Sequence, residues 1–228
     1  MSAVFRQGLA CGVEQLGQDL PAEAGDRLDR YFHELRKWAA KINLVARGTT
    51  DEDLLEMHFI DSLTLLPLLT GPAPQLLDIG SGAGFPGLVC AAVHSELRVT
   101  LVEPRLKRAS FLRHMVRTLA LEQVKVLDCR IEDEAAIPSS SHISHITARA
   151  VAELGQLLEM TARFAGGASQ LIWMKGPKWQ MELDAAASAL SRSPFHLVRV
   201  VQNRLPFSGA ERNLLIFEKK QDPDEVSQ

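Results

Sequence analysis

A glycine-rich loop is the segment of this 228-residue chain whose residue types and spacing best suit ligand binding. Residues 78–87 read DIGSGAGFPG and follow a short apolar run that is typical of a β-strand. Glycine permits tight turns and lets a ligand approach the backbone closely, and a strand–loop–helix unit is a usual setting for nucleotide binding. Glu103 ends the next candidate strand, where a carboxylate can accept hydrogen bonds from both hydroxyls of a ribose. Loop and carboxylate together predict a ligand of the adenosine type.

The glycine spacing leaves two such ligands open. Gly82, Gly84 and Gly87 fit the dinucleotide pattern G-x-G-x-x-G, whereas Gly80, Gly82 and Gly84 fit the form D-x-G-x-G-x-G of methyltransferases. Asp78 favours the second form, because an anion there would attract the ammonium of a methionine moiety, directly or through water, and would give nothing to a pyrophosphate. We therefore expect S-adenosylmethionine as the cofactor, and an NAD-dependent oxidoreductase is the alternative.

Short apolar runs that alternate with helical periodicity must position this loop. The predicted strands cover residues 75–79, 98–103, 124–128, 145–148 and 170–175, and two further β runs cover 196–202 and 214–219. The predicted helices between them cover residues 86–94, 106–120, 151–164 and 178–190, and the first third of the chain is helical, with stretches at 28–42 and 51–69. This alternation predicts an α/β fold, a Rossmann-like parallel sheet with helices on both faces, an antiparallel finish and an N-terminal helical extension.

A breaker-rich segment, residues 70–74, predicts the boundary between the two parts. We expect an N-terminal extension over residues 1–73 that packs on the core, a methyltransferase domain over residues 74–220, and a disordered polar tail over residues 221–228.

Composition narrows the function classes without naming one. The net charge of −3 does not indicate a nucleic-acid-binding protein, although a local basic face matters more than the sum. Three widely spaced cysteines are typical of reduced thiols in a cytoplasmic protein. No run is apolar enough for a membrane span, and no residue set has the spacing of a metal site.

Arg149, at the end of the fourth strand, bears on the acceptor. The Asn/Asp-Pro-Pro-aromatic segment that grips amino groups is absent there, and the guanidinium suits a phosphate or a base edge. Several basic residues near the same edge of the sheet could face RNA despite the negative total. We take as RNA-binding candidates Lys107, Arg108, Arg149, Lys175 and Lys178.

Longer pieces of the sequence carry a family resemblance. They read WAAKINL at residues 38–44, HFIDSL at 58–63, LDIGSGAGFPG at 77–87 and ARAVA at 148–152, together with Glu103 and the piece RIE at 130–132. With these pieces the chain resembles the small-subunit ribosomal RNA guanine-N7 methyltransferase G family, also called glucose-inhibited division protein B. The resemblance covers residues from about 31 to the end of the β region, and it implies a class I S-adenosylmethionine-dependent methyltransferase sheet.

The resemblance implies cofactor contacts at Gly80, Phe85, Ile131, Glu132 and Arg149, and a guanine N7 acceptor in 16S ribosomal RNA or in the subunit particle. Because N7 carries a lone pair and no proton, we expect no catalytic acid or base. We also expect a monomer in the cytoplasm. A third reading, a non-catalytic module that binds S-adenosylmethionine or RNA, stays open at this point.

Overall fold

The computed structural model describes residues 3–139, 141–167 and 170–220. Its centre is one seven-stranded sheet in the order β3-β2-β1-β4-β5-β7-β6. The strands are β1 (Gln75–Ile79), β2 (Arg98–Val102), β3 (Val124–Leu127), β4 (His145–Arg149), β5 (Gln170–Lys175), β6 (Phe195–Arg204) and β7 (Glu211–Lys219). The first five strands are parallel, and β7 pairs antiparallel with both β5 and β6. The predicted fold class is confirmed.

Helices cover the sheet and precede it. They are α1 (Ala3–Gln15), α2 (Ala22–Ala39), α3 (Asp51–Leu54), α4 (Asp61–Leu63), α5 (Gly87–Val93), α6 (Leu106–Thr118), α7 (Leu154–Thr161), α8 (Trp179–Ala185) and α9 (Ala187–Arg192). A π-helical segment, Leu55–Ile60, and two 3₁₀ turns, Leu66–Leu68 and Ala162–Phe164, complete the helical segments. The central strands β1 and β4 are almost wholly buried, which is what coverage of both faces requires.

The order of the strands fixes where a ligand can bind. β1 has β2 on one side and β4 on the other, so the direction of the chain through the sheet reverses at β1. In open α/β sheets the ligand crevice lies at such a switch point, beyond the carboxyl ends of the strands. The glycine loop begins at Gly80, directly after β1, and therefore lies at this crevice.

The N-terminal helices share one apolar core with the sheet. Phe5 of α1, Tyr31 of α2 and Phe59 pack in the same buried cluster as Leu88 of α5 and Leu101 of β2. The expected packing of residues 1–73 on the core therefore has a structural basis. The boundary at residue 73 stays a prediction, and the expected tail over residues 221–228 lies outside the described residues.

Two predicted helices differ from the structure. The stretch 51–69 is interrupted, because a π-helical segment, Leu55–Ile60, joins α3 to α4. The stretch 178–190 divides at Ala186 into α8 and α9. Neither interruption has a signal in the apolar pattern of the sequence, so the periodicity predicted one continuous helix in each stretch.

Candidate functional site

The backbone N–H groups at the start of the glycine loop donate hydrogen bonds to other residues of the protein. Gly80 and Ser81 donate to the carbonyl oxygen of Val102 at 2.8 and 3.1 Å. Gly82 donates to Oε2 of Glu103 at 3.0 Å. In the part of the chain that the structure describes, nothing donates to the carbonyl oxygens of Gly80 and Gly82. The start of the loop therefore offers acceptors rather than donors to a ligand.

Two of these glycines have no room for a side chain. Gly80 has φ of +67°, and a Cβ there would lie 2.6 Å from Cγ2 of Val151. Gly84 has φ of +95°, and a Cβ there would overlap the hydroxyl of Tyr31. Positive φ and close neighbours together explain why glycine occupies these positions.

Asp78 lies beneath the loop and does not line the cleft. Its side chain is fully buried, Oδ2 accepts from the N–H of Gly87 at 3.0 Å, and Oδ1 has no hydrogen-bond partner among the described residues. Burial raises the pKa of Asp78 to about 7, and the Gly87 N–H opposes that rise. Its expected contact with an ammonium group, directly or through water, stays a prediction, and in this structure Asp78 supports the loop from below.

Aromatic side chains from the N-terminal helices support the loop. The ring of Tyr31 stacks on that of Phe85, with centroids 5.7 Å apart, and the ring of Phe59 meets Phe85 edge-on at 5.3 Å. The hydroxyl of Tyr31 donates to the carbonyl oxygen of Ala83. Burial raises the pKa of Tyr31 above its usual value, so this phenol stays protonated and keeps donating. The loop is thus held in part by Tyr31, which comes 52 positions before Ala83 in the chain.

Arg149 is the last residue of β4, and its guanidinium donates hydrogen bonds to the N-terminal part of the chain. Nη1 donates to the carbonyl of Met57 at 2.9 Å and to Oδ2 of Asp61 at 3.0 Å. Nη2 donates to Nδ1 of His58 at 2.9 Å. The guanidinium carbon lies 5.2 Å from the centroid of the Phe85 ring, a cation–π distance. Arg149 therefore joins the sheet, the loop and the π-helical segment.

Asp61 connects Arg149 to a second arginine. Its other oxygen, Oδ1, accepts from Nε of Arg212 in β7 at 3.0 Å, and the Asp61 side chain is only 3% exposed. Burial raises the pKa of Asp61, and the positive charges of the two arginines oppose the rise. The triad Arg149–Asp61–Arg212 thus ties the N-terminal segment to two strands of the sheet.

The cleft above the loop has a volume of about 1350 Å³. The loop forms its floor, and the π-helical segment with Arg149 forms one wall. Residues of α8 and α9, among them Met181 and Ala189, form the opposite wall. Ligand pockets usually measure roughly 300–1,000 Å³, so this cleft has room for a nucleoside cofactor and part of an acceptor.

The structure brings some of the predicted site residues to this cleft and leaves others outside it. The cleft is lined by Gly80, Gly82, Phe85, Arg108, Arg149, Lys175 and Lys178. The predicted residues that do not line it are Asp78, Gly84, Glu103, Lys107, Ile131 and Glu132.

Glu103 was expected to contact a ribose, and the segment after β3 was expected to contact an adenine. In the structure Glu103 and Ile131 form hydrogen bonds within the protein. Glu103 is 3% exposed, and its oxygens accept from the N–H groups of Gly82 and Arg105 at 3.0 and 2.8 Å. The carbonyl of Ile131 accepts from Nη2 of Arg163 at 2.7 Å, while Glu132 is exposed to solvent. Their contacts with a cofactor stay predictions.

Sequence reasoning missed the roles of His58, Asp61 and Tyr31. His58 and Asp61 are three positions apart, a spacing that puts both side chains on one face of a helix. That spacing was the available signal, but it does not reveal Arg149, which lies 88 positions beyond Asp61. Tyr31 belongs to the apolar face of α2 and gives no signal that its hydroxyl reaches the loop.

Within residues 3–139, 141–167 and 170–220, no group of three or more His, Cys, Asp or Glu side chains has the arrangement of a metal site. No helix in these ranges has the length and apolar character that a membrane span requires.

Solved structures share the fold of this chain. TYW2 of M. jannaschii, solved in complex with AdoMet, has a TM-score of 0.56 at 12% identity and covers 80% of each chain. A putative tRNA (m1A22) methyltransferase of Streptococcus pneumoniae has a TM-score of 0.51 at 18% identity, covering 72% of this chain and 73% of that one. The fold and the glycine loop after β1 are those of a Rossmann-like class I methyltransferase.

Sequence comparison gives the family. The family model described as rRNA small subunit methyltransferase G matches residues 25–214. A relative from Desulfotalea psychrophila, named ribosomal RNA small subunit methyltransferase G, is 48% identical over 95% of this chain and 100% of its own length. A relative of the same name from Myxococcus xanthus is 38% identical over 96% of this chain and 99% of its own length. The chain belongs to the rRNA small subunit methyltransferase G family, and the predicted family and enzyme class are confirmed.

Proposed function

We propose that this chain transfers a methyl group from S-adenosylmethionine to N7 of a guanine in small-subunit ribosomal RNA. One observation carries the choice of cofactor. The N–H groups of Gly80, Ser81 and Gly82 are bonded within the protein, and the carbonyls of Gly80 and Gly82 are free within the described ranges. A pyrophosphate needs N–H donors, whereas the ammonium of a methionine moiety needs acceptors. This arrangement supports S-adenosylmethionine over NAD.

The residues present fit this cofactor. The free carbonyls of Gly80 and Gly82 would hold its ammonium. Each oxygen of Glu103 keeps a lone pair beyond the N–H that it already accepts, so hydrogen bonds from ribose hydroxyls remain open to it. When bound, S-adenosylmethionine supplies an electrophilic methyl group on a sulfonium.

The chain's own contribution to catalysis is positioning. Guanine N7 has no proton to remove, so no residue has to act as a base. The loop, supported by Tyr31 and Phe85, fixes one reactant, and the wall formed by the π-helical segment limits where the base can lie. Orientation of two reactants at contact distance can by itself provide a large share of a rate enhancement.

Basic side chains at the mouth of the cleft provide the RNA-binding surface in this proposal. Lys107 and Lys178 are exposed, and neither has an ion-pair partner among the residues that the structure describes. Lys175 is paired with Glu182 at 2.7 Å, Arg108 donates to the carbonyl of Asn43, and Arg149 is bonded to Asp61. The free charges of Lys107 and Lys178 thus make them the better phosphate contacts. We propose that the protein acts as a monomer in the cytoplasm.

Labelled methyl transfer to unmodified small-subunit RNA and to subunit particles tests the proposed reaction. The label should appear at a position that is cleaved by the chemistry specific for N7-methylguanine. Gly80→Ala is the matched inactive variant, because its Cβ would collide with Val151. Label on an amino nitrogen or on a ribose would overturn the N7 assignment, and transfer to neither RNA nor particles would leave a non-catalytic binding module.

Calorimetry with S-adenosylmethionine and with NAD separates the two cofactors. Binding of the first with no heat from the second is the expected result. Binding of NAD alone would contradict the argument from the free carbonyls and would favour an oxidoreductase.

A further inference from the structure

One nitrogen of His58 is available to a ligand. The ring lines the cleft and lies 5.0 Å, between centroids, from the ring of Phe85. Nδ1 accepts from Nη2 of Arg149, which can only donate, so Nδ1 carries no proton. Nε2 has no bonded partner within the described part of the chain, and it does not belong to the buried polar atoms that lack one. Nε2 is therefore reachable from the cleft.

The charges around His58 keep its ring neutral. Burial, together with the nearby Arg149 and Arg212, lowers the pKa of His58 to about 4, while Asp53 acts in the opposite direction. Asp61 accepts hydrogen bonds from both of these arginines. A neutral imidazole with an unprotonated Nδ1 carries its hydrogen on Nε2. His58 thus presents one uncharged N–H donor to the cleft.

We propose that this N–H of His58 donates to O6 of the acceptor guanine and so orients N7 toward the methyl donor. The inference rests on the proposed guanine-N7 reaction. N7 and O6 are neighbouring acceptors on the same edge of guanine. A single fixed donor at O6 therefore sets the direction in which the N7 lone pair points.

The same contact discriminates against adenine. Adenine also carries N7, but it presents an amino group where guanine presents O6. Two donors would then face each other across the cleft, and each would lose its hydrogen bond with water. An uncharged donor also suits the product, because methylation at N7 leaves a positive charge on the base.

The backbone at His58 supports a ligand-directed role. His58 belongs to the π-helical segment Leu55–Ile60, and such segments often occur at functional sites. The segment is held on the opposite side by Glu56, whose Oε1 accepts from the N–H groups of Phe207 and Ser208 at 2.6 and 2.8 Å. The wider turn thus lies between the β6–β7 loop and Arg149.

A double-mutant cycle across enzyme and RNA tests this contact. Ligated small-subunit RNA would carry guanine, inosine or 2-aminopurine at the target position. Inosine keeps O6 and N7, whereas 2-aminopurine keeps N7 and lacks O6. For the wild-type enzyme we expect kcat/KM to fall about tenfold with 2-aminopurine and little with inosine, which corresponds to one hydrogen bond.

His58→Phe keeps a ring and removes the donor. We expect it to lower kcat/KM about tenfold for guanine and inosine RNA and less than twofold for 2-aminopurine RNA. His58→Gln, which keeps one acceptor and one donor, should recover part of the loss. His94→Phe, after α5 at the opposite end of the sheet, is the matched control and should change none of these values.

Two readouts separate this role from a structural one. Calorimetric affinity for S-adenosylmethionine should stay within twofold in His58→Phe, and ¹⁵N spectra of the wild type should show the proton of His58 on Nε2. Equal losses on all three RNAs, or a wild type that treats inosine and 2-aminopurine alike, would overturn the contact. Failure of the wild type to form N7-methylguanine at all would instead overturn the proposed function.

Discussion

Gly84 lies in the glycine loop beside the hydroxyl of Tyr31, a residue of α2. We expect Gly84→Ala to destabilise the protein for two reasons. A φ of +95° is strained for alanine by about 1–2 kcal/mol. The new Cβ would also overlap the Tyr31 hydroxyl and lie 2.9 and 3.0 Å from side-chain atoms of Leu88, an overpacking that costs about 1–3 kcal/mol.

The two effects lower the free energy of unfolding by about 2–5 kcal/mol, or Tm by roughly 5–20 °C for a chain of this length. Urea unfolding measures the first quantity, provided that the m-value stays unchanged. Gly17→Ala is the matched control, because Gly17 has φ of +65° and no atom within 4 Å of its Cβ position among the described residues. The free energy of unfolding of Gly17→Ala should fall only by the backbone strain, about 1 kcal/mol.

The double variant with Tyr31→Phe isolates the steric part. Tyr31→Phe alone leaves the buried carbonyl of Ala83 without its donor, at a cost of about 1–3 kcal/mol. With the hydroxyl removed, the Cβ at position 84 gains space, so the double variant should lose about 1 kcal/mol less than the two single losses together. Strict additivity, or a Gly84→Ala loss no larger than that of Gly17→Ala, would refute the proposed contact.

Three further expectations concern the carboxylates and the basic rim. Glu103→Gln turns an NH₂ group toward the N–H of Gly82 or Arg105, so calorimetry should show S-adenosylmethionine binding about tenfold more weakly; an unchanged affinity would contradict a role in the loop. Lys107→Ala and Lys178→Ala should each weaken RNA binding and reduce its salt slope by about 1, whereas Lys125→Ala on the edge strand β3 should not. The folded protein holds a proton on Asp78 up to a pKa of about 7, above the value of an unfolded Asp. The free energy of unfolding should therefore fall as pH rises from about 4 to 7, and Asp78→Asn should remove that fall; a variant with the wild-type pH profile would exclude Asp78 as its source.

The sequence predicts the sheet better than the walls of the site. β1 and β5 have the predicted bounds, and β2 ends one residue before its predicted end, because short apolar runs between turn residues leave little freedom. The loop pattern and the family resemblance pointed to three residues that line the cleft, Gly80, Phe85 and Arg149.

The contacts of the N-terminal helices could not be predicted in the same way. The pairs Tyr31–Ala83 and Asp61–Arg149 join residues 52 and 88 positions apart, and each depends on how α2 and the π-helical segment pack on the sheet. A π turn also shifts the face of every later residue relative to an ideal helix. Periodicity alone therefore predicts that a helical segment is present here, but it does not predict which of its side chains face the cleft.

The hydrogen bond between Arg149 and His58 has a thermodynamic consequence for the order in which ligands act. Arg149 also lies over the Phe85 ring of the loop, so Arg149, His58 and Phe85 form one unit beside the proposed sites of both reactants. A ligand that orders this unit lowers the entropy that the second ligand must lose. By linkage, any factor by which S-adenosylmethionine tightens RNA binding equals the factor by which RNA tightens S-adenosylmethionine binding.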